Sequence, residues 1–253
     1  MGDFDGKVAL ITGGTRGIGL AIALRLAREG AAIAVNYSRS VEAADAAVAE
    51  LRALGVAAEA YRCDIGHRDD VFEMVKAVGE RFGHIDILVN SAARGLERPR
   101  AAIDSLPKHL KHTMDVNVFG PWFATQAVAP LMPAGGAVIN MLSPGSDRYL
   151  PKYAPVGVSK GALESLTKYL AVELAPRGIR VNGVSAGLVE GTDGVRMLDT
   201  EMVGEYQSKV PAGRHVHPED VAAAVAFLAS SDAAMIVGQV LLVDGGYSLL
   251  GTV

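Results

Sequence analysis

Short runs rich in β-branched residues alternate with longer Ala- and Leu-rich amphipathic stretches along the whole chain, and this alternation restricts the fold more than any other feature. The runs have the length and composition of strands and lie at 7–12, 32–37, 56–61, 85–90, 136–142, 179–184 and 239–244. The intervening stretches have helical periodicity at 18–29, 40–54, 69–82, 115–131, 155–175 and 218–230. Several runs are apolar on consecutive residues, as in parallel sheets covered by helices on both faces. The pattern predicts an α/β fold with a seven-stranded, mostly parallel, doubly wound sheet flanked by helices.

The whole chain, residues 1–253, is predicted to form one domain, because it contains no repeat, low-complexity tract or linker. Half of its residues are hydrophobic, which is typical of a globular protein, and its net charge of −4 argues against a nucleic-acid-binding protein. The single cysteine, Cys63, excludes an internal disulfide and fits a reducing compartment. The histidine pairs lack accompanying Cys or carboxylate ligands, so no metal is predicted. Without a signal peptide or membrane-length apolar run, we expect a cytoplasmic protein that does not bind a membrane.

A glycine-rich turn directly follows the first predicted strand. The segment "TGGTRGIG" spans residues 12–19 and opens the next predicted helix. Glycines there permit a tight turn and let a pyrophosphate approach the backbone beside the positive end of the helix. This context predicts a single doubly wound Rossmann domain that binds a dinucleotide. The turn residues expected at the cofactor are Gly13, Thr15, Arg16, Gly17, Ile18 and Gly19.

The end of the second predicted strand indicates which nucleotide is bound. An NAD site usually has an acidic residue there, which binds the ribose hydroxyls. This chain reads "VNYSRS", with no Asp or Glu before Glu42, whereas Arg39 is nearby and Arg16 lies in the first turn. Two guanidinium groups suit a 2′-phosphate. The sequence therefore predicts NADPH rather than NADH, against the alternative that both arginines are solvated surface charges.

Several further motifs, taken with the glycine-rich turn, are specific in combination. They are "CDI" (63–65), "NSAA" (90–93), "MDVNVFG" (114–120), Ser143, Lys160, "RVNGVSAG" (180–187) and "VDGG" (243–246). With them the chain resembles the short-chain dehydrogenase/reductase family over essentially its whole length. The resemblance implies homodimers or homotetramers that pack through the helices predicted at 115–131 and 155–175.

The same resemblance implies site residues. Asn117, Ser143 and Lys160 would form the catalytic group, with Asn117 holding a helix distortion and a water. The implied cofactor contacts are Asp64, Ile65, Asn90, Ala92, Lys160, Gly187 and Thr192. Thr192 is assigned there although family members usually have the threonine one residue earlier, where this chain has Gly191.

The chain departs from the family at the proton donor. Members usually have Tyr-x-x-x-Lys, but Val156 lies four residues before Lys160, and the nearest tyrosine is Tyr153, which gives Tyr-x6-Lys. With "RYL" before it and "VGVSK" after it, this spacing is most similar to the type III, NADPH-dependent enoyl-acyl-carrier-protein reductase branch. That branch implies reduction of a C=C bond in an acyl thioester.

The shifted tyrosine has a chemical reason. In a ketone, hydride attacks the carbon that carries the oxygen, whereas in an α,β-unsaturated thioester the charge develops on an oxygen three bonds from the attacked carbon. The donor should then lie further from the nicotinamide. Pro155 is favoured in a first helical turn, so the helix is predicted to begin near Ala154 with Tyr153 in the preceding loop. We expect Tyr153 to donate to the enolate oxygen, and Lys160 to bind the ribose and lower the pKa of the phenol.

The sequence thus predicts NADPH-dependent reduction of an enoyl thioester, carried by acyl carrier protein or coenzyme A, in fatty-acid or secondary-metabolite biosynthesis. Arg94 is predicted at the substrate pocket, and Tyr149 is predicted to be a pocket or packing residue, with a second aromatic proton donor as the other interpretation of Tyr149. The weakly patterned stretch 187–213 is predicted to be a substrate-binding lid. Two alternatives stay open: a carbonyl reductase acting on a 3-oxoacyl or ketone substrate, and a non-catalytic NADPH-binding protein.

Overall fold

The computed structural model describes residues 2–95, 100–192, 195 and 200–250, and it contains every strand that the sequence predicts. The strands are β1 (Val8–Thr12), β2 (Ala32–Tyr37), β3 (Ala58–Arg62), β4 (Ile87–Asn90), β5 (Ala137–Leu142), β6 (Arg180–Ala186) and β7 (Val240–Val243). They form one seven-stranded sheet in the order β3-β2-β1-β4-β5-β6-β7, and each pairing in the described part of the chain is parallel. The predicted doubly wound architecture is therefore confirmed.

The helices follow the predicted order, with two additions. They are α1 (Gly17–Arg28), α2 (Val41–Ala53), α3 (Arg68–Phe82), α4 (Pro107–Met114), α5 (Gly120–Val128), α6 (Ala154–Leu174), α7 (Thr200–Lys209) and α8 (Pro218–Ala229). The sequence did not predict α4 and α7. The single helix predicted at 115–131 is divided into a π-helical segment (Asp115–Phe119), α5 and a 3-10 turn (Ala129–Leu131).

Both faces of the sheet are covered, which explains the consecutive apolar residues of its strands. On one face, Ala9 and Ile11 of β1 belong to a core cluster with α1 and α8. On the other face, Leu10 belongs to a cluster with α3, α5 and α6. Since successive strand residues point to opposite faces, apolar side chains are favoured at consecutive positions of the strands that both clusters cover.

The strand order places the carboxyl ends of β1 and β4 side by side at the topological switch point, where open α/β sheets bind their ligands. Thr12 and Asn90 are paired in register there, and Leu142 is paired with Ser185 on the neighbouring strands. The segments that leave these ends carry most of the predicted site residues. In the described ranges, no helix combines the length and apolarity needed to cross a bilayer.

Candidate active site

The glycine-rich turn packs tightly against the segment that follows β4. Gly13 has φ 64°, and a Cβ at this position would lie 2.9 Å from Ala92 Cα. The Thr12 hydroxyl oxygen accepts hydrogen bonds from the backbone N–H groups of Ser91 and Ala92 at 3.0 and 3.1 Å. A Cβ on Gly19 would collide with the Gly13 carbonyl oxygen. Glycine is thus required by conformation at Gly13 and by contact at Gly19, and the bare turn surface fits the predicted pyrophosphate.

The first turn of α1 adds an anion-binding end to this turn. Gly17 has φ 52°, and Arg16 occupies the N-cap position without a side-chain capping bond from within the described residues. The first N–H groups of a helix need partners and favour negative charge. Thr192 lies close to this end of α1, because a Cβ on Gly17 would be 3.9 Å from Thr192 Cγ2. Its hydroxyl donates to the Val189 carbonyl at 2.8 Å.

Asn36, a residue that the sequence analysis missed, joins the ends of three strands. Its side-chain oxygen accepts from the Gly13 N–H at 3.3 Å, and its amide donates to the Cys63 carbonyl at 3.1 Å. An asparagine inside an apolar buried strand was the available signal.

Arg39 is exposed just beyond β2, and Arg16 is exposed in the turn, on the side where the NADPH prediction requires positive charge. Whether they contact a 2′-phosphate stays a prediction.

The other predicted cofactor residues differ in burial. Asn90 is buried and donates to the Asn140 side-chain oxygen at 2.8 Å, while its own side-chain oxygen is buried with no hydrogen-bond partner in the described part of the chain. Asp64 is half-exposed and accepts from the Gly66 N–H at 3.0 Å. Ile65 is buried against the start of α5, and Gly187 donates its N–H to the Val243 carbonyl at 3.0 Å.

Tyr153 and Ser143 meet at the centre of the site. The Tyr153 hydroxyl donates to Ser143 Oγ at 3.1 Å, and the same oxygen accepts from the Gly145 N–H at 3.2 Å. As predicted from Pro155, α6 begins at Ala154, and Tyr153 is its N-cap residue. The spacing Tyr-x6-Lys therefore brings the phenol to the serine without a tyrosine at position 156.

Lys160 lies on the buried side of this site. Its ammonium donates to the Met141 carbonyl at 2.6 Å, and burial lowers its pKa to about 8. The sequence analysis expected the charge of Lys160 to lower the pKa of Tyr153, and this stays a prediction. Burial raises the pKa of Tyr153, and the hydrogen bond to Ser143 lowers it in part. Desolvation of the phenolate is thus the larger effect in this structure.

Asn117 fixes the backbone beside the site. It lies in the π-helical segment, which confirms the predicted helix distortion. Its side-chain oxygen accepts from the Arg94 N–H at 2.8 Å, and its amide donates to the Arg94 carbonyl and to Ser159 Oγ, both at 3.0 Å. Asn117 therefore joins the segment after β4 to α6. Its predicted role in holding a water stays a prediction.

On the substrate side, the Tyr149 side chain is 83% exposed in the single chain, and its role stays a prediction. Val156 is 2% exposed and lies against Gly95, where a Cβ would be 3.0 Å from Val156 Cγ2. The Arg94 side chain is partly buried.

The predicted lid at 187–213 is described only in part, since residues 193, 194 and 196–199 lie outside the described residues. Its described part contains α7, where Tyr206 is a residue that the sequence analysis missed. The Tyr206 oxygen accepts from the Leu188 N–H at 3.4 Å, and its ring packs 4.0 Å from that of Tyr247 and 6.1 Å from that of His215. These contacts hold α7 over the segment that follows β6.

Comparisons with known proteins cover nearly the whole chain. A family model described as Enoyl-(Acyl carrier protein) reductase matches residues 13–248. An uncharacterized oxidoreductase of Methylorubrum extorquens is 41% identical, covering 97% of this chain and 99% of the relative. The 1-cyclohexenylcarbonyl-CoA reductase of Streptomyces collinus is 35% identical (96% and 88%), and a 3-oxoacyl-(acyl-carrier-protein) reductase of Staphylococcus epidermidis is 38% identical (95% and 98%).

Solved structures agree with the fold over the same extent. A short-chain dehydrogenase from Burkholderia cenocepacia in complex with NADP aligns with a TM-score of 0.90 at 37% identity, covering 97% of this chain and 99% of that one. A blue fluorescent protein from a metagenomic library in complex with NADPH aligns with a TM-score of 0.89 at 35% identity and the same coverage.

Proposed function

The chain belongs to the short-chain dehydrogenase/reductase family of oxidoreductases, and from this membership and the site geometry we propose that it reduces the C=C bond of an enoyl thioester with NADPH. The acyl group would be carried by acyl carrier protein or coenzyme A. The observation that carries the proposal is the Tyr153–Ser143 hydrogen bond, made by a tyrosine that precedes α6, while Val156 occupies the position four residues before Lys160.

The residues at the switch point fit the cofactor. Gly17 is exposed and a Cβ there would meet only Thr192 Cγ2, at 3.9 Å, so the backbone is open beside the first N–H groups of α1, which suits a pyrophosphate. Arg16 and Arg39 carry the positive charge that a 2′-phosphate requires, and the two structural relatives named above are complexes with NADP and NADPH. When bound, NADPH supplies the hydride.

The side chains of this protein would handle the charge that develops on the substrate. Hydride addition at the β-carbon of an enoyl thioester places negative charge on the thioester oxygen. The Tyr153 hydroxyl, released from Ser143, would donate to that oxygen, and the Ser143 hydroxyl would hold the phenol in place beforehand. The α-carbon then takes a proton, which completes the addition of two hydrogens across the C=C bond. Lys160 would bind the ribose hydroxyls of the cofactor.

A second candidate is reduction of a 3-oxoacyl thioester. The observation in its favour is that Tyr153 and Ser143 form a hydroxyl pair, which can also bind a ketone oxygen, and relatives at 38% identity are named 3-oxoacyl reductases. The two reactions differ in how far the donor lies from the carbon that receives hydride. The substrate preference therefore discriminates between them.

The test compares NADPH oxidation with crotonyl and acetoacetyl thioesters, each on coenzyme A and on acyl carrier protein. We expect turnover of the crotonyl substrates and at most a few per cent of that rate with the acetoacetyl substrates. Tyr153→Phe should lower kcat about 10²-fold or more, because it removes the donor. Tyr169→Phe is the matched control, since Tyr169 is exposed on α6 and its variant should keep wild-type turnover. A preference for acetoacetyl thioesters would reject the proposal, and absence of turnover with every substrate would favour a non-catalytic binder.

A further inference from the structure

Two glycines enclose the ring of Tyr153. A Cβ on Gly145 would lie 2.7 Å from Tyr153 Cδ1 and 2.8 Å from Cε1. A Cβ on Gly157 would lie 2.8 Å from the Gly145 carbonyl oxygen and 3.6 Å from Tyr153 Cδ1. A methyl group at Gly145 has no room while the Tyr153 ring stays where it is, and a methyl group at Gly157 has no room while the Gly145 carbonyl stays where it is. A Cβ on Gly157 would be in ordinary van der Waals contact with the ring.

The backbone conformation does not explain these glycines. Gly145 lies in the 3-10 turn Pro144–Ser146, Gly157 lies in the first turn of α6, and neither has φ in the left-handed region. Alanine is the better residue in a helix, so an alanine would be favoured at Gly157 on conformation alone. The close approach of the 3-10 turn to α6, and of both to the phenol ring, is the feature that requires glycine.

The same two residues also hold the ends of Tyr153 through their backbone. The Gly157 N–H donates to the Tyr153 carbonyl at 2.8 Å, which fixes the main chain of the tyrosine. The Gly145 N–H donates to Ser143 Oγ at 3.2 Å, and that oxygen accepts from the Tyr153 hydroxyl. Gly157 thus contacts the main chain of Tyr153. Gly145 lies against the ring and, through Ser143, is linked to the hydroxyl.

We propose that Gly145 and Gly157 are positioning residues that aim the Tyr153 hydroxyl at the substrate oxygen, an inference that rests on the proposed role of Tyr153 as donor. The functional signature of this site is then Gly-x7-Tyr-x3-Gly-x2-Lys rather than Tyr-x6-Lys alone. A methyl group at Gly145 pushes the ring away from the 3-10 turn and separates the two hydroxyls. A methyl group at Gly157 separates the turn from α6 and has the same effect by a second route.

The test uses Gly145→Ala and Gly157→Ala in the full chain with crotonyl-coenzyme A and NADPH. Each variant is expected to lower kcat about 10²-fold, close to the level of Tyr153→Phe, while the KM for crotonyl-coenzyme A and the Kd for NADPH change less than about 3-fold. Gly161→Ala is the matched control in the same helix. A Cβ there meets only the Ser146 carbonyl oxygen, at 3.2 Å, and kcat should stay within about 3-fold of wild type.

A double variant separates positioning from general loss of structure. In a Tyr153→Phe background, adding Gly145→Ala should lower kcat by less than a further factor of about 3, because the hydroxyl that Gly145 positions is already absent. A further loss of kcat of about 10²-fold in the double variant would overturn the proposal. Wild-type kcat in both single glycine variants would overturn it as well. If the wild type prefers acetoacetyl thioester, the proposed function fails, and the same non-additivity measured on that substrate still decides the role of the glycines. NADPH binding by fluorescence verifies that each variant is folded.

Discussion

At the scale of single residues, Lys160 is the group whose charge is least compatible with its surroundings. It is buried, its ammonium is bonded to one backbone carbonyl, and its pKa is lowered to about 8 by desolvation. Its ordinary value is 10.5, so below pH 8 the folded protein carries a charge that the unfolded chain holds more favourably. The shift corresponds to about 3 kcal/mol, at about 1.4 kcal/mol for each pH unit.

We expect Lys160→Met to raise the free energy of unfolding of the cofactor-free protein by about 2 kcal/mol at pH 7, after allowing for the lost hydrogen bond, while abolishing turnover. Between pH 8 and 10.5 the unfolded wild type binds more protons than the folded one, so wild-type stability rises with pH. The advantage of the variant should therefore shrink by pH 9.5. Urea unfolding at both pH values measures it, with Lys76→Met, an exposed lysine, as control. A difference that is independent of pH would contradict the assignment.

The residue scale also shows where sequence reasoning was sufficient. Pro155 predicted the start of α6 and the loop position of Tyr153, because proline preference in the first turn is a local property. The contact between Gly145 and Tyr153 was not predicted, since it depends on how closely two segments approach each other in the tertiary structure. The burial of Tyr153, which raises the pKa of its phenol, was not predicted for the same reason: burial is not visible in residue spacing.

At the scale of elements, the strands were predicted well and two helices were missed. The strands are apolar at consecutive buried positions, which is a strong local pattern. Helix α4 is short and polar, with Thr113 as its buried residue, and α7 is similarly polar, so each has too few apolar residues for a helix to be recognised from the sequence. The π-helical segment interrupts the helix predicted at 115–131. Its backbone hydrogen bonds are shifted by one residue, and a shift over so few residues leaves no recognisable pattern of apolar residues in the sequence.

The carboxyl end of α8 depends on one buried cation. The Arg180 guanidinium donates to four carbonyl oxygens, at the end of α8 and in the following turn, those of Leu228, Ala229, Ser230 and Ala233. The carbonyls of Leu228 and Ala229 belong to those that a helix end leaves without intrahelical partners, whereas those of Ser230 and Ala233 also accept from backbone N–H groups. Arg180 therefore caps α8 from β6 and joins the helix to the sheet.

We expect Arg180→Leu to lower the free energy of unfolding by about 3 kcal/mol, because it leaves the carbonyls of Leu228 and Ala229 without their hydrogen-bond donor. Urea unfolding is the measurement, and Arg28→Leu, at an exposed site in the last turn of α1, should change stability by less than about 0.5 kcal/mol. Equal stability of wild type and Arg180→Leu would show that water replaces the guanidinium at no cost.

At the scale of the whole molecule, the exposed apolar residues are not evenly distributed. Val158, Tyr169 and Val172 are exposed on α6, and their spacings of 11 and 3 residues place them on one helical face. Trp122 is exposed on α5, the neighbouring helix of the predicted association surface. A patch of this kind on a folded protein commonly marks a contact with another chain. It fits the prediction that homodimers or homotetramers form through these helices.

We expect the wild type to have a mass in solution that is two or four times 26.4 kDa, and Tyr169→Glu with Val172→Glu to reduce it. These side chains are 68% and 73% exposed in the single chain, so the charges cost little there, whereas burying two carboxylates in an apolar contact is unfavourable. Light scattering after size exclusion gives the mass. Val41→Glu, at an exposed valine of α2, is the control and should leave the mass unchanged. A monomeric wild type, or an unchanged mass of the double variant, would reject this surface.

Because α6 begins beside Tyr153 and contains Lys160, loss of turnover on dissociation would show that association also stabilises the catalytic end of this helix.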